Sequence, residues 1–108
     1  MRIEELMIGN YTDNNVEIIR ISARDMMFLS ESDNMHFCNG VILTDEWITD
    51  FGFKIWKHKN EITFYKDHVF IHKRKRGYVM SKRFKELKYV HELQNFFFVS
   101  KGKQLIKQ

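Results

Sequence analysis

"FIHKRKRGYVM", residues 70–80, sets four consecutive cations between two runs of strand-forming residues and places a glycine, Gly77, after them. β-branched and aromatic residues favour extended backbone, and a polar break of this length between two such runs is a hairpin signal. The same grammar repeats on the N-terminal side. "FKIWKHKN" (53–60), "EITFYKD" (61–67), "HVFIHKRKR" (68–76) and "GYVMSK" (77–82) read as three or four strands of an antiparallel meander, with turns near 58–60, 66–68 and 74–77. Alternation within a strand puts Ile62 and Phe64 on one side and Thr63 and Tyr65 on the other. The cations therefore sit mostly in or beside a hairpin tip.

Helical signals flank the meander. In "VILTDEWITDFGF" (41–53), Thr44 is a good N-cap, Asp45 and Glu46 suit the first turn of a helix, and Gly52 stops it. A short helix over about 45–51 follows, with Trp47, Ile48 and Phe51 on the face that docks. In "RFKELKYVHELQNFFFVSKG" (83–102), apolar residues fall at Phe84, Leu87, Val90, Leu93 and Phe97, and intervals of three and four predict one helical stripe, closed by Gly102. Residues 5–30 read as short strands turning at "DNN" (13–15), because Asp and Asn bond their own backbone and tolerate left-handed conformations. A polar loop over 30–40 holds a short strand at 36–38. The predicted fold is α+β: a small N-terminal β-sheet or half-barrel, a short helix, an antiparallel β-meander, and a C-terminal helix packed on the sheet, in one domain spanning 1–108.

A chain of 108 residues with 44% hydrophobic and 15% aromatic content suits one packed core. Its longest apolar run near the C-terminus, "FFFV", falls far short of the roughly 18 residues needed to cross a bilayer, and "MRIEELMIGN" lacks the basic-then-apolar pattern of a signal peptide. The expectation is a cytoplasmic protein with no membrane association. The single cysteine, Cys38, excludes an internal disulfide and reads as a small structural hydrophobe.

The net charge of +4 hides a division along the chain. Residues 1–52 carry three cations against ten acids, and residues 53–108 carry fifteen cations against four acids. The densest part holds Lys66, Lys73, Arg74, Lys75, Arg76, Lys82, Arg83, Lys85 and Lys88. Like charges repel, so a partner that neutralises them relieves a cost to the fold. Lys82, Arg83 and Lys85 also fall at the start of the predicted last helix, where cations oppose the macrodipole, and this points to use outside the fold. These nine residues together with Tyr78 are the candidate contacts to nucleic acid or an acidic partner. Tyr65, Phe70, Tyr78 and Tyr89 are candidate rings for stacking on bases. The plainer reading is a solvated hairpin that balances the acidic half.

Catalytic patterns are weak. His58, His68 and His72 with Glu61 or Asp67 match no tight metal-ligand spacing, and one cysteine adds little. His91 reads as a hydrogen-bonded packing histidine. "ELK" (86–88) resembles the acid-x-Lys pair of nucleases but sits in a predicted helix without a first acid. Phosphate-cradling glycine loops and nucleophile elbows do not occur. The expectation is a non-enzymatic protein with no metal and no cofactor.

Three pieces, "LMIGNY" (6–11), "ILTDEWITDFGF" (42–53) and "LKYVHELQNFFF" (87–98), resemble a group of small proteins of unknown function encoded in phages, prophages and mobile elements of Bacteroidetes-type bacteria. The group's pattern runs from a Leu-x-Ile-Gly-Asn start through a Leu-Thr-x-Glu-Trp-Leu-x-x-Phe-Gly-Phe helix to a Tyr-Val-His-x-Leu-Gln-Asn helix. This chain departs from it at Ile48 and Thr49, where a Leu pair is usual, and at Ser100, Lys101 and Gly102, where Thr-Gly is common. The resemblance implies a phage-type accessory protein. It carries the expectation of an anti-CRISPR-like inhibitor that binds a host nucleic-acid-directed defence effector, a ribonucleoprotein or its guide RNA, through the basic hairpin and patch. The alternatives are an RNA- or DNA-binding module of phage replication or transcription, and a phage structural or assembly protein.

Overall fold

A computed structural model of the chain describes residues 2–31, 34–80 and 85–108. The fold is α+β, with one three-stranded and one five-stranded antiparallel sheet. Contacts divide the chain into two compact units, Met1–Ile42 with Tyr89–Gln104, and Leu43–Lys88 with Leu105–Gln108. Unit one is acidic, with eight Asp and Glu against five Lys and Arg, and unit two is basic, with thirteen cations against six acids.

Unit one is built on strands β1 (Tyr11–Asp13), β2 (Ile18–Arg20) and β3 (Asn39–Gly40), in the order β2-β1-β3. The Asp-Asn-Asn turn forms as expected: Asn15 takes a φ of 77° and its amide donates to the Asp13 carboxylate at 2.8 Å. Beyond β2 the expectation of strands fails, and Ala23–Ser30 is a helix, α1. Ser22 caps it, accepting from the Asp25 amide at 3.2 Å while the Asp25 carboxylate accepts from the Ser22 amide at 2.9 Å. Such a reciprocal box satisfies two otherwise orphaned donors and outweighs the weak extended preference of the apolar residues that follow. The expected strand at 36–38 is displaced too: Asn34–Phe37 is a 3-10 turn, and the strand follows it.

Helix α3 (Val90–Lys101) packs on β1 and buries Val90, Leu93 and Phe97, the C-terminal part of the predicted stripe. Gly102 closes it in the left-handed region at φ 69°. Amide side chains tie α3 to the N-terminal segment. Gln94 accepts from the Tyr11 amide at 2.9 Å and donates to the Gly9 carbonyl at 3.0 Å. Asn10 donates to Asn95 at 2.8 Å, and Asn95 donates to the Glu5 carbonyl at 2.7 Å. Gly9 sits at φ 98° with the Gln104 amide against it, so a side chain there meets both strain and a clash. The residues of "IGNY" and "LQN" therefore form one polar latch. Cys38 is buried with Leu6, Ile21 and Leu29, and burial pushes its thiol pKa up, disfavouring the thiolate.

His91, on the first turn of α3, is 2% exposed, stacks on Tyr89 at 5.6 Å, and has no hydrogen-bond partner for Nδ1 among the described residues. Burial holds its pKa below the usual 6.5, against the opposing pull of Glu92 and Glu5. The unfolded chain then takes up the proton first as pH falls, so stability is full above the unfolded value and declines as pH drops through it. The urea midpoint is expected to be lower at about pH 5.5 than at about pH 7.5, and His91→Phe, which keeps the stack, is expected to flatten that difference. An unchanged slope in the variant would assign the pH effect elsewhere.

Unit two begins with α2 (Asp45–Asp50), capped by Thr44, which accepts from the Trp47 amide at 3.3 Å. Strands β4 (Lys54–His58), β5 (Glu61–Lys66), β6 (Val69–Arg74), β7 (Gly77–Met80) and β8 (Lys85–Leu87) follow as a meander in chain order. All three expected turns are present, at 59–60, 67–68 and 75–76. β8 corrects the sequence reading, because Leu87 does not open the last helix but pairs with Tyr78 across the ladder and is buried on the sheet. A three-residue strand is too short to display its alternation, and the interval from Leu87 to Val90 mimicked a helix.

The registers sort the side chains. Phe64, Ile71 and Met80 share one face with Lys66, Lys73 and Tyr78. That face is covered by α2: Ile48 and Phe51 are fully buried, and Lys66, Lys73 and Tyr78 all bond residues of α2 or its C-cap. The tail returns to close the core, with Leu105 buried and the Gln108 amide donating to the Asp50 carbonyl at 2.7 Å.

Candidate nucleic-acid interface

The opposite face of the five-stranded sheet is open. Across the strands the ladder aligns Trp56, Thr63, His72, Val79 and Glu86, and one pleat along it aligns Lys54, Tyr65 and Phe70. Three large rings on this face are exposed, Trp56 at 59%, Tyr65 at 38% and Phe70 at 43%. They occur as two flat pairs. Tyr65 and Phe70 stack with centroids 6.4 Å apart, and Trp56 stacks on His58 at 5.7 Å with planes only 17° apart. A folded chain gains by burying such rings, so a cluster of them left exposed on one face makes that face a candidate binding surface.

Charge concentrates at one end of this face. In a meander every second turn lies at the same end, which brings the 59–60 and 75–76 turns together. Lys59, Arg74, Lys75 and Arg76 are exposed there, with Glu61 the acid among them, whereas Lys57, paired with Ile62, points to the α2 side. Arg74 lies in the same strand face as Phe70 and His72, so cation and rings share one surface.

The candidate contacts separate by face. Arg74, Lys75 and Arg76 belong to the open face and its basic end. Lys73 instead points to the covered side and pairs with Asp45 at 2.7 Å, and Lys66 donates to the Phe51 carbonyl at 2.6 Å. Tyr78 is buried, and its hydroxyl donates to the Asp45 carboxylate in a short hydrogen bond. Burial pushes the Asp45 carboxyl up, but the bonds from Lys73 and Tyr78 outweigh it and hold the group below the usual carboxylate range. Burial and the bond to Asp45 push the Tyr78 phenol well up, keeping it a donor. These three residues build the fold, with Asp45 bonded to two of them. Lys88 is exposed beside β8, and its carbonyl accepts from the Leu43 amide at 3.0 Å. Lys82 and Arg83 lie outside the described residues, and Lys85 is placed only as a backbone member of β8. Of the candidate stacking rings, Tyr65 and Phe70 are on the open face, whereas Tyr89 packs over Gly40 in unit one.

Trp56 and Lys59 were missed by the sequence reading. The signal is present in "KIWKHKN", where cations interleave with an aromatic, but the strand alone does not tell an exposed ring from a buried one. "ELK" falls on β8 and its turn to α3, with Glu86 exposed on the open face. His58 and His72 lie on that face and His68 in the 67–68 turn, and among the described residues no group of three or more His, Cys, Asp or Glu is placed to hold a metal ion. Among the described residues no helix is long and apolar enough to cross a membrane. Comparison with protein-family models, with curated proteins and with solved structures finds no match to this chain.

Proposed function

We propose that the chain is a non-enzymatic binding protein that holds single-stranded nucleic acid on the open face of its five-stranded sheet. The observation that carries this reading is the joining of three exposed rings, Trp56, Tyr65 and Phe70, to a basic sheet end on one surface. Bases unstacked from a duplex have apolar faces to cover and phosphates to neutralise, and a sheet that offers rings in its middle and cations at its edge meets both needs. A purely solvated basic turn, the plainer sequence reading, leaves the rings without a purpose.

Fluorescence anisotropy with labelled oligonucleotides of about ten nucleotides tests it, since open-face sites of this size span several bases. Affinity is expected to fall steeply with salt, with a log–log slope of about −0.7 for each phosphate contacted. Changing Arg74, Lys75 and Arg76 to Glu is expected to flatten the slope by about two units and weaken binding to every sequence alike. No binding at low salt, or a slope near zero, would overturn the proposal. The inhibitor reading implied by the resemblance uses the same surface against a host ribonucleoprotein. A complex with protein that survives nuclease and is lost with the same charge reversal would favour it over a plain nucleic-acid module.

A further inference from the structure

At the centre of the open face, between the rings, stands a polar pair that stacking does not use. Thr63 is 7% exposed although its strand position faces outward, and its Oγ1 lies 3.1 Å from Nδ1 of His72, its direct partner across the ladder. A neutral imidazole has one donor and one acceptor nitrogen. With Nδ1 engaged by Thr63, the ring is held in orientation, and Nε2, the ring nitrogen farther along the side chain, presents one hydrogen-bonding atom at a fixed place, donor or acceptor according to the tautomer. Along β6 the outward positions are Phe70, His72 and Arg74, spaced by roughly 6.8 Å per pair of residues. A strand of nucleic acid laid along them meets a ring, then a fixed polar atom, then a guanidinium.

We infer that His72, oriented by Thr63, discriminates between bases at one position of the bound strand; this rests on the single-stranded nucleic-acid reading of the face. The physical ground is that rings and phosphate contacts accept any base, whereas a fixed donor or acceptor beneath a base is left unpaired when the base offers the wrong edge. Thr63 is a positioning residue: it acts through the imidazole.

The test compares oligo(dT), oligo(dC) and oligo(dA) of equal length on the wild-type chain, His72→Phe and Thr63→Val. His72→Phe keeps a flat ring and removes the nitrogen; Thr63→Val keeps the volume and removes the hydroxyl. The wild-type chain is expected to separate its best and worst oligonucleotides by roughly tenfold, the effect of one unpaired polar group. Both variants are expected to bring them within about twofold of each other while keeping the wild-type salt slope, because phosphate contacts are untouched. A wild-type chain that binds all three equally, or a preference that survives in His72→Phe, overturns this inference and leaves the binding proposal standing. A wild-type chain that binds none of them overturns both.

Discussion

Replacing Trp56, Tyr65 and Phe70 together by Ala is expected to lower affinity for a single-stranded oligonucleotide by at least about a hundredfold while leaving the fold intact. Base–aromatic stacking contributes about 1–3 kcal/mol per base, so two productive stacks already account for that loss. All three rings are exposed on the open face, so their removal opens no cavity in the core beneath α2. The stability cost is that of cross-strand pairs, about 0.2–1 kcal/mol each. Circular dichroism should therefore match the wild-type chain. The salt slope should stay near the wild-type value, since the phosphates still meet Arg74, Lys75 and Arg76. That pattern is the converse of the charge reversal, which flattens the slope. Wild-type affinity in the triple variant would remove the open face from the binding site, whatever the basic turns contribute.

The meander was legible because each of its turns carries its own local chemistry. Asp67 and His68 take positive φ, as does Lys59, and the runs between them are rich in β-branched and aromatic residues. α2 was legible from Thr44 and Gly52, a cap and a stop around six residues. α1 was not, because Met26, Met27, Phe28 and Leu29 are four apolar residues in a row and show neither period. The deciding signal was Ser22 three residues before Asp25, a capping pattern that needs no hydrophobic periodicity. The basic tip was also legible, but its division between two faces was not. Strand alternation puts Lys73 opposite to Arg74 and cannot tell which side a helix covers. Only the docking of α2, with Asp45 taking Lys73 and Tyr78, turns one set into fold and leaves the other exposed. Trp56 was hidden for the same reason: an aromatic in a strand is core or site according to a tertiary contact that the strand does not encode.

Gln94→Ala is expected to destabilise the chain by about 2–4 kcal/mol, the largest loss from any single polar substitution considered, with the urea midpoint as readout. Gln94 is buried and uses both ends of its amide, accepting from Tyr11 and donating to Gly9. Alanine withdraws an acceptor from one backbone group and a donor from the other where water cannot replace them, and leaves unfilled volume besides. Gln94→Glu distinguishes the hydrogen bonds from the volume. The carboxylate still accepts from Tyr11 but has no donor for Gly9, and it buries a charge, so the variant should be weaker at neutral pH and recover partly when acid protonates it. Asn95→Ala, half-buried, should cost less, about 1 kcal/mol, since solvent can reach the vacated partner. A loss below about 0.5 kcal/mol for Gln94→Ala, the range of an ordinary surface change, would mean that the latch does not hold the N-terminal segment. The expected larger loss would give the residues of "IGNY" and "LQN" a structural duty in unit one. The chemistry of binding would then lie in the strands between the motifs, where Trp56, Tyr65, Phe70 and His72 stand.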